Sequence, residues 1–143
     1  MEEGAPLPPL QKQVTQEQVI RYAQASKDFN PLHLDPAFAA QGPFGQIVAH
    51  GMLAFAFVSE MLTLVFGQAW LETGRLTVRF RAPVAPGDTI TAAGQVTKVT
   101  QEADGHEVAC SVVCRNREGD EVVSGRAWVR LPADWDFKGG ALP

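Results

Sequence analysis

The chain has 143 residues, 45% apolar and 20% charged, which is ordinary globular composition and excludes a disordered chain. Twelve Lys and Arg stand against 16 Asp and Glu, and the net charge of −4 argues against nucleic acid as the main partner, because that binding needs clustered basic residues. A chain of this length buries roughly two-thirds of its unfolded surface, enough for a core without disulfides or metal, so residues 1–143 are read as a single domain.

The start, MEEGAPLPPL, is acidic and proline-rich. It lacks the basic start and apolar run of a secretory signal, and residues 1–10 are expected to form a loosely held lead-in. Thr15 opens a Thr-x-x-Gln capping box ahead of Val19, Ile20 and Ala23, which predicts a helix from about Gln16 to Ser26. Pro31 pushes Asn30 out of the helical region, so residues 28–33 are expected to be an irregular loop. Asp35 and Pro36 make an N-cap and N1 pair for a short helix to about Ala40, and QGPFGQ after it is turn chemistry.

Gly51 to Phe66 is the most hydrophobic segment, apolar nearly all round, with Gly67 placed to end it. A helix of that composition is expected to be buried. It is broken by Ser59, Glu60 and Thr63 and is shorter than the ~20 apolar residues of a membrane span. From Leu76 the period drops to two: Leu76, Val78 and Phe80 alternate with Thr77, Arg79 and Arg81. After a turn over 82–88, the stretches Thr89 to Thr100, Glu107 to Asn116 and Glu121 to Leu131 are predicted strands. Helices followed by an antiparallel meander predict an α+β domain whose sheet wraps around the long helix.

Cys110 and Cys114 lie four apart on one predicted strand, so their Cα atoms stand about 13 Å apart, too far for a disulfide. Both share a face with Val108 and Val112 and no cationic neighbour, so they are read as buried structural thiols of a cytoplasmic protein.

The three histidines are scattered, Asp28-x4-His33 is not a zinc-ligand spacing, and no metal site is expected. There is no phosphate-binding glycine loop and no nucleophile elbow. What remains is Asp28-Phe-Asn-Pro-Leu-His33, followed by His50-Gly51 at the start of the long helix. An Asp and a His on one loop can share a water, one removing a proton and the other delivering one to a carbon. A helix start at a glycine offers backbone N–H groups that a carbonyl oxygen can approach closely enough for an enolate to be held. On the residues alone a second reading stays open, in which Asp28 forms an Asx turn, His33 is a half-buried core histidine and His50 is a hydrogen-bonder at the helix start. His106 beside its turn is read as solvated.

YAQASKDFNPLHLDPAFA, followed by IVAHGML and then RFRAPVAPGDTI, resembles the MaoC-like hydratases, the (R)-specific enoyl-CoA hydratases. The resemblance covers about residues 15 to 131 and rests on Asp28, Asn30, Pro31, His33, Asp35, His50, Gly51 and Met52. One departure is Lys27, where the family often has glycine or another small residue. The resemblance implies a hot-dog fold, a homodimer, and reversible syn hydration of trans-2-enoyl-CoA to (R)-3-hydroxyacyl-CoA. It implies that Asp28 and His33 are the catalytic pair, that Asn30, Gly51 and Ser59 bind substrate, with Gly51 N–H on the thioester oxygen, and that no cofactor is needed beyond the CoA carried by the substrate. Three rivals accompany it: the same chemistry on acyl carrier protein, a thioesterase using Glu60 on the central helix, and a non-catalytic acyl-binding protein. Glu60 itself is read as a charge facing solvent or a partner.

Overall fold

The computed structural model describes residues 1–136, so residues 137–143 of the predicted domain lie outside the described residues. In chain order the elements are β1 (Pro6–Gln13), α1 (Gln16–Ser26), α2 (Pro31–Leu34), α3 (Pro36–Ala40), α4 (Gly51–Phe66), α5 (Gln68–Thr73), β2 (Arg75–Phe80), β3 (Thr89–Glu102), β4 (Gly105–Arg115) and β5 (Glu121–Pro132). The strands form one antiparallel sheet in the order β1-β3-β4-β5-β2. The meander β3-β4-β5 is its centre, while β1 and β2, from either side of the helices, close its two edges.

The sheet wraps α4, the hot-dog arrangement. Leu53, Ala54, Phe57, Val58, Met61, Leu62, Val65 and Phe66 of α4 are buried in one cluster with Ile90, Val96, Val108, Val112, Ala127 and Val129 of the sheet. Each of the larger side chains, Val, Leu, Ile, Met or Phe, contributes about 1.5–3 kcal/mol relative to exposure. α4 also lacks a side-chain cap at its start. That deficit is about 1 kcal/mol, small beside the burial, so the helix needs no local signal to hold it.

Three findings differ from the sequence reading. Residues 6–10 are not a lead-in but the first part of β1, paired along β3 from Pro6 opposite Gln95 to Gln13 opposite Thr89. Proline normally argues against a strand, but an edge strand has one side that owes no ladder hydrogen bonds, and the register shifts between Leu7 and Leu10 where Pro8 and Pro9 sit. Second, α4 is not buried all round. Met52 is 49% exposed, Ala56 is exposed and Phe55 half-buried. These positions at i, i+3 and i+4 form one stripe that the sheet, covering a single side, leaves open. Third, α5 went unpredicted; it follows α4 directly and buries Trp70 against it.

Cys110 and Cys114 are free, buried thiols on the inner face of β4, and burial pushes both up to about 11. The folded state therefore keeps its thiol protons where the unfolded chain, with thiols near 9.0, has lost them. This contribution to stability is complete below pH 9 and lost as pH rises towards 11. Thiol titration at pH 8 should find no fast-reacting group in the folded protein and two after denaturation, and the urea midpoint should fall between pH 9 and pH 11.

Candidate active site

Three chain segments converge beside the start of α4. The first is the end of α1. Its capping box is present as predicted, with Thr15 Oγ1 accepting from Gln18 N–H and Gln18 Oε1 accepting from Thr15 N–H. The helix stops at Lys27, whose φ of 62° and ψ of 21° lie in the left-handed region. That conformation favours glycine and gives the family's small residue here a backbone reason.

The second segment is 28–35. Asp28 Oδ1 accepts from Asn30 N–H at 3.2 Å, an Asx turn, and Asn30 Oδ1 then caps the next helix through Leu32 N–H at 3.0 Å. The expected irregular loop is therefore half helix: Asn30 is extended as Pro31 requires, but Pro31 sits at N1 of the single turn α2. Gln16 Nε2 holds that turn from α1 by donating to His33 O at 3.2 Å. Asp35 caps α3 through Ala37 and Phe38 N–H.

The third segment, Val48 to His50, is buried and runs into α4. Ala49 N–H donates to Val84 O at 2.7 Å, which ties it to the turn before β3. Val48 O takes His33 Nδ1 at 2.7 Å. A carbonyl can only accept, so neutral His33 carries its proton on Nδ1 and presents the Nε2 lone pair. The His50 ring stacks on His33 with centroids 3.8 Å apart at 26°, and touches Tyr22 at 4.8 Å. Its Nε2 lies 3.1 Å from Asp28 O and 4.0 Å from Asp28 Oδ2.

Ring nitrogens of His33 and His50 and a carboxylate oxygen of Asp28 lie within 4.8 Å of one another. A water making two hydrogen bonds of about 2.8 Å at a tetrahedral angle spans about 4.6 Å, so the cluster is sized to hold one water between two of its members. It suits a metal ion poorly. The two rings are stacked 3.8 Å apart at 26°, so the planes that contain their lone pairs are nearly parallel and do not meet close to the rings.

Gly51 adjoins the cluster. Gly51 and Met52 N–H precede the first bond of the helix, Leu53 N–H to His50 O, and no side chain among the described residues caps them. A Cβ on Gly51 would meet the Phe80 ring at 3.2 Å, so glycine keeps the space between the helix start and β2 open. Phe29, Met52 and Phe80 are each about half exposed and adjoin Asp28 or Gly51.

Asp28, Asn30, His33 and Gly51 thus come together, with Asn30 as builder of the turn. His50 is part of the cluster too; the only sequence signal for this was the His-Gly pair itself. Ser59 is not brought to it. It lies eight residues beyond Gly51, about 12 Å by helix rise, and its Oγ accepts from Trp70 Nε1 at 3.0 Å. Glu60 is not free either: half-buried, it pairs with Lys12 of β1 at 2.9 Å. A cleft of about 880 Å³ opens at the other end of α4, between α5 and the β3–β4 turn. None of Asp28, His33, His50 or Gly51 lines it; chemistry, not the cleft, marks the site.

The fold and this constellation define a hydratase-type hot-dog protein. The model of the MaoC-like domain matches residues 2–116, and the chain belongs to that family. It is 35% identical over 124 residues to an (R)-specific enoyl-CoA hydratase of Aeromonas caviae, covering 86% of this chain and 90% of that protein. It is 34% identical over 125 residues to a 3-hydroxybutyryl-CoA dehydratase of Methylorubrum extorquens, covering 86% and 76%. The solved structure of the (R)-hydratase from A. caviae superposes with a TM-score of 0.79 at 33% identity, over 92% of this chain and 98% of that one.

Ser59→Ala tests whether that hydroxyl serves the fold or the site. It leaves the Trp70 indole N–H without its partner, so stability should fall by about 1 kcal/mol, read by urea unfolding, while turnover of a short enoyl thioester stays within a few-fold. Lost turnover at unchanged stability would return Ser59 to the substrate pocket.

Proposed function

We propose that this protein catalyses the reversible hydration of trans-2-enoyl-CoA to (R)-3-hydroxyacyl-CoA, with Asp28 and His33 as the catalytic pair. The observation that carries the reading is a carboxylate and an imidazole held within one water's span beside an uncapped helix start. In this reading the thioester oxygen sits on Gly51 N–H, which draws electron density from the β-carbon. Water held between Asp28 and His33 Nε2 attacks that carbon. Its oxygen bonds to the β-carbon, the alkene electrons move toward the α-carbon and thioester oxygen, and one water proton passes to the pair. The pair then returns a proton to the α-carbon on the same face. Every atom added comes from the water, so no cofactor enters the step, and CoA is present only as the substrate's carrier. Asn30 supports the site by building the turn that aims Asp28.

The same chemistry on an acyl carrier protein thioester is the second reading, since both carriers present the same phosphopantetheine arm. The thioesterase reading loses support because Glu60 is paired with Lys12 and roughly 13 Å along α4 from Gly51. Cytoplasmic residence belongs to the same proposal, supported by two unpaired buried thiols.

A homodimer completes the reading. Among the described residues the outer edge of β2 has no strand beside it, and Phe29, Met52 and Phe80 form an exposed apolar rim at the site. A two-fold partner covering both is the ordinary remedy for such surfaces.

Hydration of crotonyl-CoA and longer enoyl-CoAs, with product chirality determined, tests the activity. Asp28→Asn and His33→Gln should each lower kcat by about 10²–10⁴ with circular dichroism unchanged, and Glu60→Gln should stay within a few-fold. Near-wild-type turnover in either loop variant would remove the mechanism; CoA release from a saturated acyl-CoA that Glu60→Gln abolishes and Asp28→Asn spares would establish a thioesterase. Light scattering at micromolar concentration should give the mass of two 15.5 kDa chains, and a fully active monomer would refute the dimer.

A further inference from the structure

Among the described residues His50 is the one polar or charged residue that is buried, at 4% exposure. Burying a polar side chain carries a cost that its position must justify. Helix capping does not justify it: His50 is the N-cap residue of α4, yet its ring makes no capping hydrogen bond, where Ser, Thr, Asp or Asn would supply about 1 kcal/mol. Packing alone does not justify it, since a phenylalanine would fill the same space with no polar atom to satisfy. Indeed His50 Nδ1 is buried with no hydrogen-bond partner among the described residues.

What a histidine adds over both is a donor in the plane of a flat ring. Asp28 O, a carbonyl, can only accept, so His50 Nε2 carries the proton and donates at 3.1 Å, leaving the lone pair on Nδ1. The face of the same ring stacks on His33. His33 holds the opposite tautomer, protonated on Nδ1 through Val48 O. The groups facing His50 are Asp28, His33 and Tyr22. One run, the buried Val48 to His50 and the exposed Gly51 after it, therefore touches every part of the site. Val48 O sets the tautomer of His33, the His50 face sets its plane, the His50 N–H holds the Asp28 loop, and Gly51 N–H follows directly.

We propose that His50 is a positioning residue for the reaction. With its proton on Nε2, it fixes the Asp28 backbone and the His33 ring in one frame with the Gly51 N–H. This deepens the hydratase reading and rests on it for its kinetic consequence, but its structural core stands apart from any substrate.

The test uses ¹⁵N-edited imidazole NMR and kinetics on the full chain. At pH 8 His50 of the wild type should show the Nε2–H pattern and His33 the Nδ1–H pattern. His50 protonated on Nδ1 would overturn the proposal. His50→Phe keeps the flat face and loses the donor; His50→Asn keeps a donor and loses the face. Each should lower kcat on crotonyl-CoA by about 10- to 100-fold, the cost of a small misplacement, with KM within about threefold, and His50→Asn, which loses the stacked face, should also shift the His33 ring resonances, while Val48 O keeps the His33 proton on Nδ1. A folded variant with wild-type kcat and an unchanged His33 pattern would reduce His50 to packing and overturn the proposal. Should neither variant fold by circular dichroism, the wild-type tautomers decide. A wild type that hydrates no enoyl-CoA would sink the functional reading, and the His33 pattern would still judge the positioning role.

Discussion

The structure turns on burying α4. A helix with apolar residues on nearly every face cannot lie in water, and the chain answers by curving an antiparallel sheet around it. The eight side chains that α4 buries against that sheet carry far more free energy than any local helix signal. This has a consequence for chemistry. Because α4 does not depend on a cap, its first residues are available for other work, and the N-cap position is occupied by a ring turned away from the helix. The start of the most buried helix becomes a place where backbone donors, a glycine and two imidazoles meet.

Around that start the site is assembled mostly by backbone. Asp28 is aimed by an Asx turn, His33 by a single helical turn that Asn30 caps, and the ring of His33 by a carbonyl of the buried run before α4. Each side chain with a chemical task is thus held by a neighbour with a structural one. For the proposed reaction this is the preorganisation that proton transfer needs, since a base displaced by even an ångström loses its alignment with the carbon. It also means that the two readings open on sequence, Asx turn or proposed catalytic carboxylate, are not alternatives: Asp28 Oδ1 makes the turn, and Oδ2 lies 4.0 Å from His50 Nε2.

The open side of α4 and the open edge of β2 mark where one chain ends its own coverage. Met52, Phe55 and Ala56 face away from the sheet, and Phe80, at the end of β2, stands over Gly51. These unsatisfied surfaces surround the site instead of lying far from it. In the dimeric reading, assembly and the enclosure of the substrate are then one event, and the apolar rim excludes water from a reaction whose enolate would be stabilised less well in it.

Much of this was legible in the chain alone. Cap residues placed α1 and α3, through Thr15 and the pair Asp35 and Pro36, while composition and periodicity placed α4 and the four strands after it, whose runs are long enough for their own pattern to show. The pair Asp28 and His33 was legible because both sit within six residues and their chemistry is complementary. The small residue that the family resemblance leads one to expect at Lys27 has its reason in a left-handed backbone angle that no composition displays. What tertiary structure alone decided was long-range. PLPPLQKQ becomes β1 because β3 offers it an edge, against what its prolines favour by themselves. Glu60 is neutralised because that strand brings Lys12 to it, and Ser59 is engaged because α5 folds back with Trp70. His50 joins residues 22 positions before it. Local sequence sets φ, ψ and periodicity, which are properties of neighbours along the chain. A partner met across the fold is set by how the buried helix and its sheet pack, and that depends on the whole chain at once.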